Sequence, residues 1–93
     1  MELANDKLGV RWTIIELRQR HVEQFSELVK ALPELPMPKF RGQVVRIAID
    51  CGWISAPAIT NAEVADMKPA AVRWLSEQLT DLYVAANEID PKV

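Results

Sequence analysis

The chain has 93 residues, 11 of them basic and 13 acidic, with a formal net charge of −2. This length fits one domain with a modest core, and the balanced charge lacks the basic excess that nucleic-acid-binding proteins usually carry. The longest uncharged apolar run, residues 51–61, is interrupted by Gly52 and Pro57 and is too short to cross a bilayer, so we expect no membrane association.

The N-terminal third is predicted to be an irregular arm followed by a helix. Residues 1–12 show little periodicity, and Gly9 favours an irregular arm. A first helix is predicted over residues 13–32, where apolar residues recur on one side of a helical wheel. Thr13 and Glu16 have the spacing of a capping box, in which each side chain bonds to a backbone N–H of the other residue.

The middle of the chain combines a proline-rich connection with a second helix. Prolines recur over residues 33–39, which predicts an extended linker without helix. The pattern over residues 40–51 fits either a strand or a helix. A helix is favoured because Gly52 is well placed as a left-handed stop and no partner strand is evident.

The C-terminal third is predicted to contain a short helical turn and the third main helix. Residues 53–57 are interpreted as an apolar loop that packs on the core. Thr60 and Glu63 form a second possible capping box, which opens a helical turn over residues 61–67. A proline-led amphipathic helix then spans residues 69–87.

These elements predict an all-α fold, a small single-domain bundle of three main helices. Its parts are an irregular arm at 1–12 and a helical domain at 13–93, with main helices at about 13–32, 40–51 and 69–87, a proline-rich linker at 33–39 and a short helical turn near 61–67.

No group of residues has the composition or spacing of a catalytic, cofactor or metal site, so we expect no enzymatic activity and no cofactor. His21 has no cysteine or second histidine with which to share a metal ion, and a packed, hydrogen-bonded histidine is favoured over a general base. Two carboxylate pairs, each one helical turn apart, are interpreted as solvated helix faces. They are Glu23 with Glu27, and Glu77 with Asp81.

Four apolar residues are candidates for binding a protein partner or a second copy of the chain. Trp74 and Val84 fall outside the core stripe of the third helix, and Leu35 and Met37 lie in the linker. Tryptophan is enriched at binding hot spots, which makes Trp74 the principal anchor in this hypothesis. The alternative, which the wheel position favours, is that Trp74 covers the segment 53–67.

A DNA-associated regulator is the alternative function. Arg41, Arg46 and Arg73 are the best candidates for a basic patch, and the regulator would use Arg41 and Arg46. A recognition helix needs a broad polar face, however, and the second helix is the most apolar of the three. We therefore expect no specific binding to nucleic acid.

The single cysteine, Cys51, is evidence about the cellular compartment in which the protein works. It cannot form an internal disulfide, and its apolar neighbours predict a buried, unreactive thiol. Acidic and amide residues near the N-terminus do not fit a secretory signal. We therefore expect a cytoplasmic protein.

The segments RIAIDCGWISAP and VADMKPAAVRWLSEQLTDLYVAANEIDP, within residues 46–91, resemble small proteins encoded near the tail genes of tailed phages and prophages, the tail assembly chaperones among them. The shared pattern is an apolar helix that ends in Gly-Trp, a proline-led helix start and a helix that ends before Ile-x-Pro. The resemblance implies a non-enzymatic protein of the host cytoplasm that binds the tape-measure protein or another tail component. The linker at 33–39 has no counterpart in that pattern.

Overall fold

A computed structural model describes residues 1–87 and combines a small sheet with three helices. The all-α prediction is therefore wrong, because a three-stranded antiparallel sheet accompanies the helices. The end of the predicted domain, and with it the Ile-x-Pro part of the tail-protein resemblance, lies outside the described residues. The elements are, in chain order, β1 (Glu2–Asn5), β2 (Val10–Ile14), α1 (Gln19–Lys30), α2 (Met37–Asp50), β3 (Ile54–Ala56) and α3 (Pro69–Asn87).

The predicted irregular arm at 1–12 is a β-hairpin. β1 and β2 pair antiparallel, and a short 3₁₀ turn over Asp6–Leu8 joins them. The Asn5 side chain accepts a hydrogen bond from the Leu8 N–H at 3.2 Å, and Gly9 has a left-handed φ of 67°. The residues that suggested irregular structure therefore form the tight connection of the hairpin, where a glycine with positive φ is favourable.

The predicted helix at 13–32 starts six residues too early, because α1 begins at Gln19. Val10, Trp12 and Ile14 alternate with more exposed neighbours along β2, which is the periodicity of a half-buried strand. Thr13 lies in β2 and does not cap a helix. The capping-box spacing of Thr13 and Glu16 therefore does not mark a helix start. The apolar alternation over residues 10–14 indicated the strand correctly.

The predicted apolar loop at 53–57 contributes the third strand. β3 pairs antiparallel with β2, so the sheet order is β1-β2-β3. The Ile15 N–H donates to the Trp53 carbonyl at 3.0 Å, and the Ser55 hydroxyl donates to the Thr13 carbonyl at 3.1 Å. A three-residue strand carries too little periodicity to be recognised before its partner strand is known.

The second predicted helix is present but begins earlier than residue 40. α2 starts at Met37, within the predicted linker 33–39, and Pro38 occupies its first turn. A proline is tolerated there because the first helical N–H groups have no intrahelical partner. Gly52 follows the helix with a φ of 76°, as expected of a left-handed stop.

The third predicted helix coincides with α3, and a 3₁₀ segment over Asn61–Asp66 occupies the predicted turn at 61–67. The Thr60–Glu63 capping box is confirmed, since the Glu63 carboxylate accepts from the Thr60 N–H at 2.6 Å.

One hydrophobic core joins the sheet to the helices. The inward face of the hairpin contributes Leu3, Val10, Trp12 and Ile14, and the outward face carries exposed residues such as Ala4 and Arg11. The helices therefore cover one face of the sheet. Trp53, Leu75, Leu79 and Val45 are the largest fully buried side chains.

Candidate functional site

The four residues predicted to bind a partner lie on separate parts of the helical layer. Met37, at the start of α2, is 56% exposed, and Val84, near the end of α3, is 58% exposed. Leu35, in the connection from α1 to α2, is half-buried, and Trp74 is half-buried against the core. Of the four, Met37 lines a depression shared with α3. A binding role for all four residues stays a prediction.

An apolar groove runs between α1 and α3, with α2 at its base. It has a volume of about 260 Å³. A second depression of about 260 Å³ continues it along α2, and both are lined by Phe40, Val44 and Thr80. We call the two depressions together the helix groove. Its apolar and aromatic lining residues are Phe25, Val29, Met37, Phe40, Val44 and Tyr83.

The aromatic part of the helix groove is anchored in the core. Phe25 is buried and stacks on Trp53 with ring centroids 4.5 Å apart. Tyr83 is half-buried and tilts against Phe25 at 5.2 Å. Stacked and tilted ring pairs at these separations are favourable, so the groove wall is held in place before any ligand binds. The Thr80 hydroxyl donates to the Ser76 carbonyl at 2.7 Å and is already satisfied.

The groove exists because α1 and α3 each pack more extensively on α2 than on each other. Phe40 and Val44 of α2 therefore face a gap between the other two helices. Phe25 and Tyr83 lie in helices for which the sequence predicts an apolar face, and that pattern gives no signal for the groove. A helical wheel shows which side of a helix is apolar, but not how far apart two packed helices lie.

Two carboxylates line the helix groove, and two more line a depression beside it. Glu23 and Glu27 of α1 line a neighbouring depression that also touches Tyr83. Glu77 and Asp81 of α3 line the part of the groove next to α2. All four residues are exposed, and the two pairs that the sequence places on separate helices flank one apolar surface.

The residues that line the helix groove itself are balanced in charge, since Glu77 and Asp81 are accompanied by Lys30 and Arg41. Arg73 pairs with Glu77 at 3.2 Å. Additional negative charge comes from Glu23 and Glu27 in the neighbouring depression, which has no cation among its described lining residues. The helix groove therefore has an apolar floor, and the surface beside it on α1 is acidic.

His21 has a structural role at the start of α1. Its Nδ1 accepts a hydrogen bond from the Arg18 N–H at 3.0 Å, and the side chain is half-buried. This contact fits the predicted hydrogen-bonded histidine. Within residues 1–87, no group of three or more histidine, cysteine or acidic side chains is arranged to hold a metal ion.

The three arginines singled out in the sequence converge on one cavity on another side of α2. Arg41 and Arg46 of α2 and Arg73 of α3 line an open cavity of about 560 Å³, together with Lys39. Gly42, in the interior of α2, is buried and lines the same cavity. The sequence predicted the cationic residues but not the cavity, because their convergence depends on the packing of α3 on α2.

Gly42 is expected to limit the stability of α2. A methyl group at this position would meet no atom closer than the Arg46 Nη1 at 3.6 Å, an ordinary contact distance. Glycine in a helix interior costs about 0.8–1 kcal/mol relative to alanine. Gly42→Ala should therefore raise the free energy of unfolding by roughly 0.5–1 kcal/mol in urea melts. A decrease would show that the glycine is required by packing.

Cys51 is buried, as predicted, and its thiol gives the fold a pH dependence. Burial, and secondly the charge of Asp50, raises the pKa of the Cys51 thiol. An unfolded chain releases this proton at about pH 8.5. The contribution of the Cys51 thiol to the free energy of unfolding is therefore fully present below that pH. It is lost as the pH rises through the higher pKa of the folded state.

Urea melts between neutral and alkaline pH test this expectation. Cys51→Ala should lose less stability than the parent protein between about pH 8 and pH 10, because it lacks the thiol. Parallel decreases in the two proteins would show that the thiol makes no contribution.

Comparison with family models, with curated proteins and with solved structures finds no match to this chain. The groove, the cavity and their charges are therefore the basis for a functional assignment. Across residues 1–87, no helix has both the length and the apolar character that crossing a membrane requires.

Proposed function

We propose that the protein is a non-enzymatic protein–protein interaction module whose helix groove binds an amphipathic helix of a partner protein. The observation that carries this proposal is the helix groove itself, with an apolar floor anchored by Phe25, exposed carboxylates of α3 at its edge and exposed carboxylates of α1 in the depression beside it. Grooves of this kind bind helices by taking up apolar side chains spaced three or four residues apart.

The charges of the groove define the partner further. Asp81 lines the groove on α3, and Glu23 and Glu27 line the depression beside it on α1, so lysine or arginine residues placed over these carboxylates would meet opposite charges, while Lys30 and Arg41 would disfavour them elsewhere along the groove. Complementary charge raises the association rate and discriminates against acidic helices. We therefore expect a basic amphipathic helix.

The tail-protein resemblance suggests the source of such a helix. In the proposal the module acts in the host cytoplasm and binds the tape-measure protein or another tail component. The DNA-regulator alternative has less support. α2, which carries Arg41 and Arg46, buries Gly42, Val44, Val45, Ile47 and Ala48 and offers no broad polar face to a DNA groove.

Titration with two synthetic helices tests the proposal. One peptide has a leucine face flanked by lysines, and its twin carries glutamate in place of every lysine. The lysine peptide should bind at least about tenfold more tightly than the twin at low salt, with a difference that shrinks as salt is added. Equal affinities for the two peptides would contradict the proposed charge recognition.

Two arginine substitutions on α3 locate the binding surface. Thr80 is exposed and lies in the groove, so Thr80→Arg should weaken binding of the lysine peptide by about tenfold or more through steric block and like charge. Ala85 is exposed on the same helix and is not a lining residue of the groove, so Ala85→Arg is the matched control. Equal effects of the two substitutions would place the binding elsewhere.

Reversal of two charges tests the recognition further, and sedimentation of the protein alone measures its oligomeric state. The double variant Glu27→Lys with Asp81→Lys should prefer the glutamate twin over the lysine peptide. If the protein alone forms a dimer that Thr80→Arg dissociates, the groove is occupied by a second copy, and the proposal of a separate partner is overturned.

A further inference from the structure

The cavity that Gly42 lines is a second feature that the helix groove does not explain. It lies between the start of α2, the 3₁₀ segment Asn61–Asp66 and the start of α3. Its volume of about 560 Å³ falls within the range of small-molecule sites. Val64, Met67, Pro69 and Val72 supply much of its apolar wall.

Positive charge is concentrated around this cavity although the whole chain has a net charge of −2. Lys39, Arg41, Arg46 and Arg73 line it, and no acidic residue is found among the described residues that do. Arg73 pairs with Glu77, whereas no carboxylate within residues 1–87 lies at ion-pair distance from Lys39, Arg41 or Arg46. Gathered cations repel one another, and a bound anion would relieve that repulsion.

The arginine side chains keep donors available for an anion. Arg46 uses its Nε to donate to the Asn61 carbonyl at 3.4 Å, and this contact ties the side chain to the 3₁₀ segment. Its terminal nitrogens make no hydrogen bond to another described side chain. Guanidinium groups bind phosphate and carboxylate through paired N–H donors, so an arginine tethered at Nε is suited to this role.

Gly42 bears on the position of the Arg46 side chain. The glycine is buried in a helix interior and lines the cavity, and no neighbouring atom would clash with a methyl group there. The Arg46 Nη1 lies 3.6 Å from the place such a methyl group would take. The guanidinium group of Arg46 therefore rests over Gly42 at the cavity wall, where it can meet a bound anion.

We propose that this cavity binds a small organic anion that joins one phosphate or carboxylate group to an apolar body. The anionic group meets Arg41, Arg46 and Lys39, and the apolar body lies against Val64 and Met67. A concave, apolar wall distinguishes this site from a surface that follows a nucleic-acid backbone, which needs an extended row of cations. The site shares Arg41 with the helix groove but differs from it in its other described lining residues, so either assignment can fail without the other.

Calorimetric titration of the full chain with three compounds tests the proposal. Phenyl phosphate has both parts of the proposed ligand, inorganic phosphate has the anion alone, and benzyl alcohol has the apolar body alone. Phenyl phosphate should bind at least about tenfold more tightly than either of the others. Equal binding of inorganic phosphate would reduce the site to a surface cation cluster. Equal binding of benzyl alcohol would show that charge is not recognised, and no binding of phenyl phosphate at millimolar concentration would also overturn the proposal.

Three variants tie the binding to the cavity. Gly42→Leu should fill the cavity, and Arg41→Gln should remove a cation without adding bulk, so that the second remains informative if the first does not fold. Each should weaken phenyl phosphate binding by about tenfold or more, whereas Arg20→Gln, an exposed position on α1, should change it less than twofold. Equal losses in Arg41→Gln and Arg20→Gln would show nonspecific charge attraction and overturn the proposal. Tighter binding of a short DNA duplex, lost in Arg41→Gln and steeply salt-dependent, would favour nucleic acid instead.

Discussion

Trp53→Ala is expected to lower the free energy of unfolding by about 3–5 kcal/mol, the usual cost of truncating a buried aromatic side chain. Trp53 is fully buried and stacks on Phe25 at 4.5 Å, and its carbonyl accepts the Ile15 N–H that ties the end of β2 to the helical layer. Domains of this size have only about 5–15 kcal/mol of stability, so the variant should be close to unfolding at room temperature. Urea denaturation followed by circular dichroism measures the loss.

Trp53→Phe is the matched control for this substitution. The indole N–H is buried and has no hydrogen-bond acceptor among residues 1–87. Phenylalanine removes that unpaired donor and keeps a ring against Phe25, so the loss of stability should be less than half of that in Trp53→Ala. A phenylalanine variant as unstable as the alanine variant would indicate that the indole N–H has a partner in solution.

Leu3→Asp is expected to lower stability by at least about 3 kcal/mol, because it removes a buried apolar side chain and introduces a charge into the core. Leu3 is 7% exposed and lies opposite Trp12 in the hairpin. The same urea measurement applies.

Ala4→Asp, at the next residue of β1, is the control. Ala4 is on the exposed face and lies opposite Arg11, so its substitution should change stability by no more than about 0.5 kcal/mol. An irregular arm would make the two aspartate substitutions equally mild. A large difference between them would establish that β1 is part of the core.

Helices were predictable where the apolar pattern of a helix continued over many residues and a proline or glycine marked one end. Pro69 opens α3 as expected, and Gly52 follows α2 in a left-handed conformation. The sheet was not predictable from the same evidence, because its strands have only three to five residues. At Thr13 a local capping spacing competed with the alternation of Val10, Trp12 and Ile14, and sheet pairing decided the outcome in favour of the strand.

The candidate sites were predictable only in part. Met37 was expected to be available to a partner and lies exposed at the end of the helix groove. The aromatic floor at Phe25 and Tyr83 was not predictable, because a wheel position does not reveal a gap between helices. Arg41, Arg46 and Arg73 were named as cations, but their common cavity arises from contacts between α2 and α3.

The two candidate sites differ in charge and lie on different sides of the same helix pair. Both acidic and basic residues line the groove, Glu77 and Asp81 among them, whereas the described residues that line the cavity include cations such as Lys39 and Arg46 and no carboxylate. Arg41 lines both depressions and is therefore the residue through which binding at one site would most directly affect the other. The peptide and phenyl phosphate titrations, each repeated with the other ligand present, would measure any such coupling.

The central claim is that the helix groove is the surface that binds a partner, and an NMR titration with the lysine peptide tests it most directly. The backbone amides of Ser26, Lys30, Phe40, Thr80 and Tyr83, all of which line the groove, should show the largest shifts. Amides of the hairpin at residues 2–5 and 10–14 should remain nearly unchanged. Shifts concentrated in the hairpin or around Gly42, with the groove amides unaffected, would contradict the assignment of the groove as the docking surface.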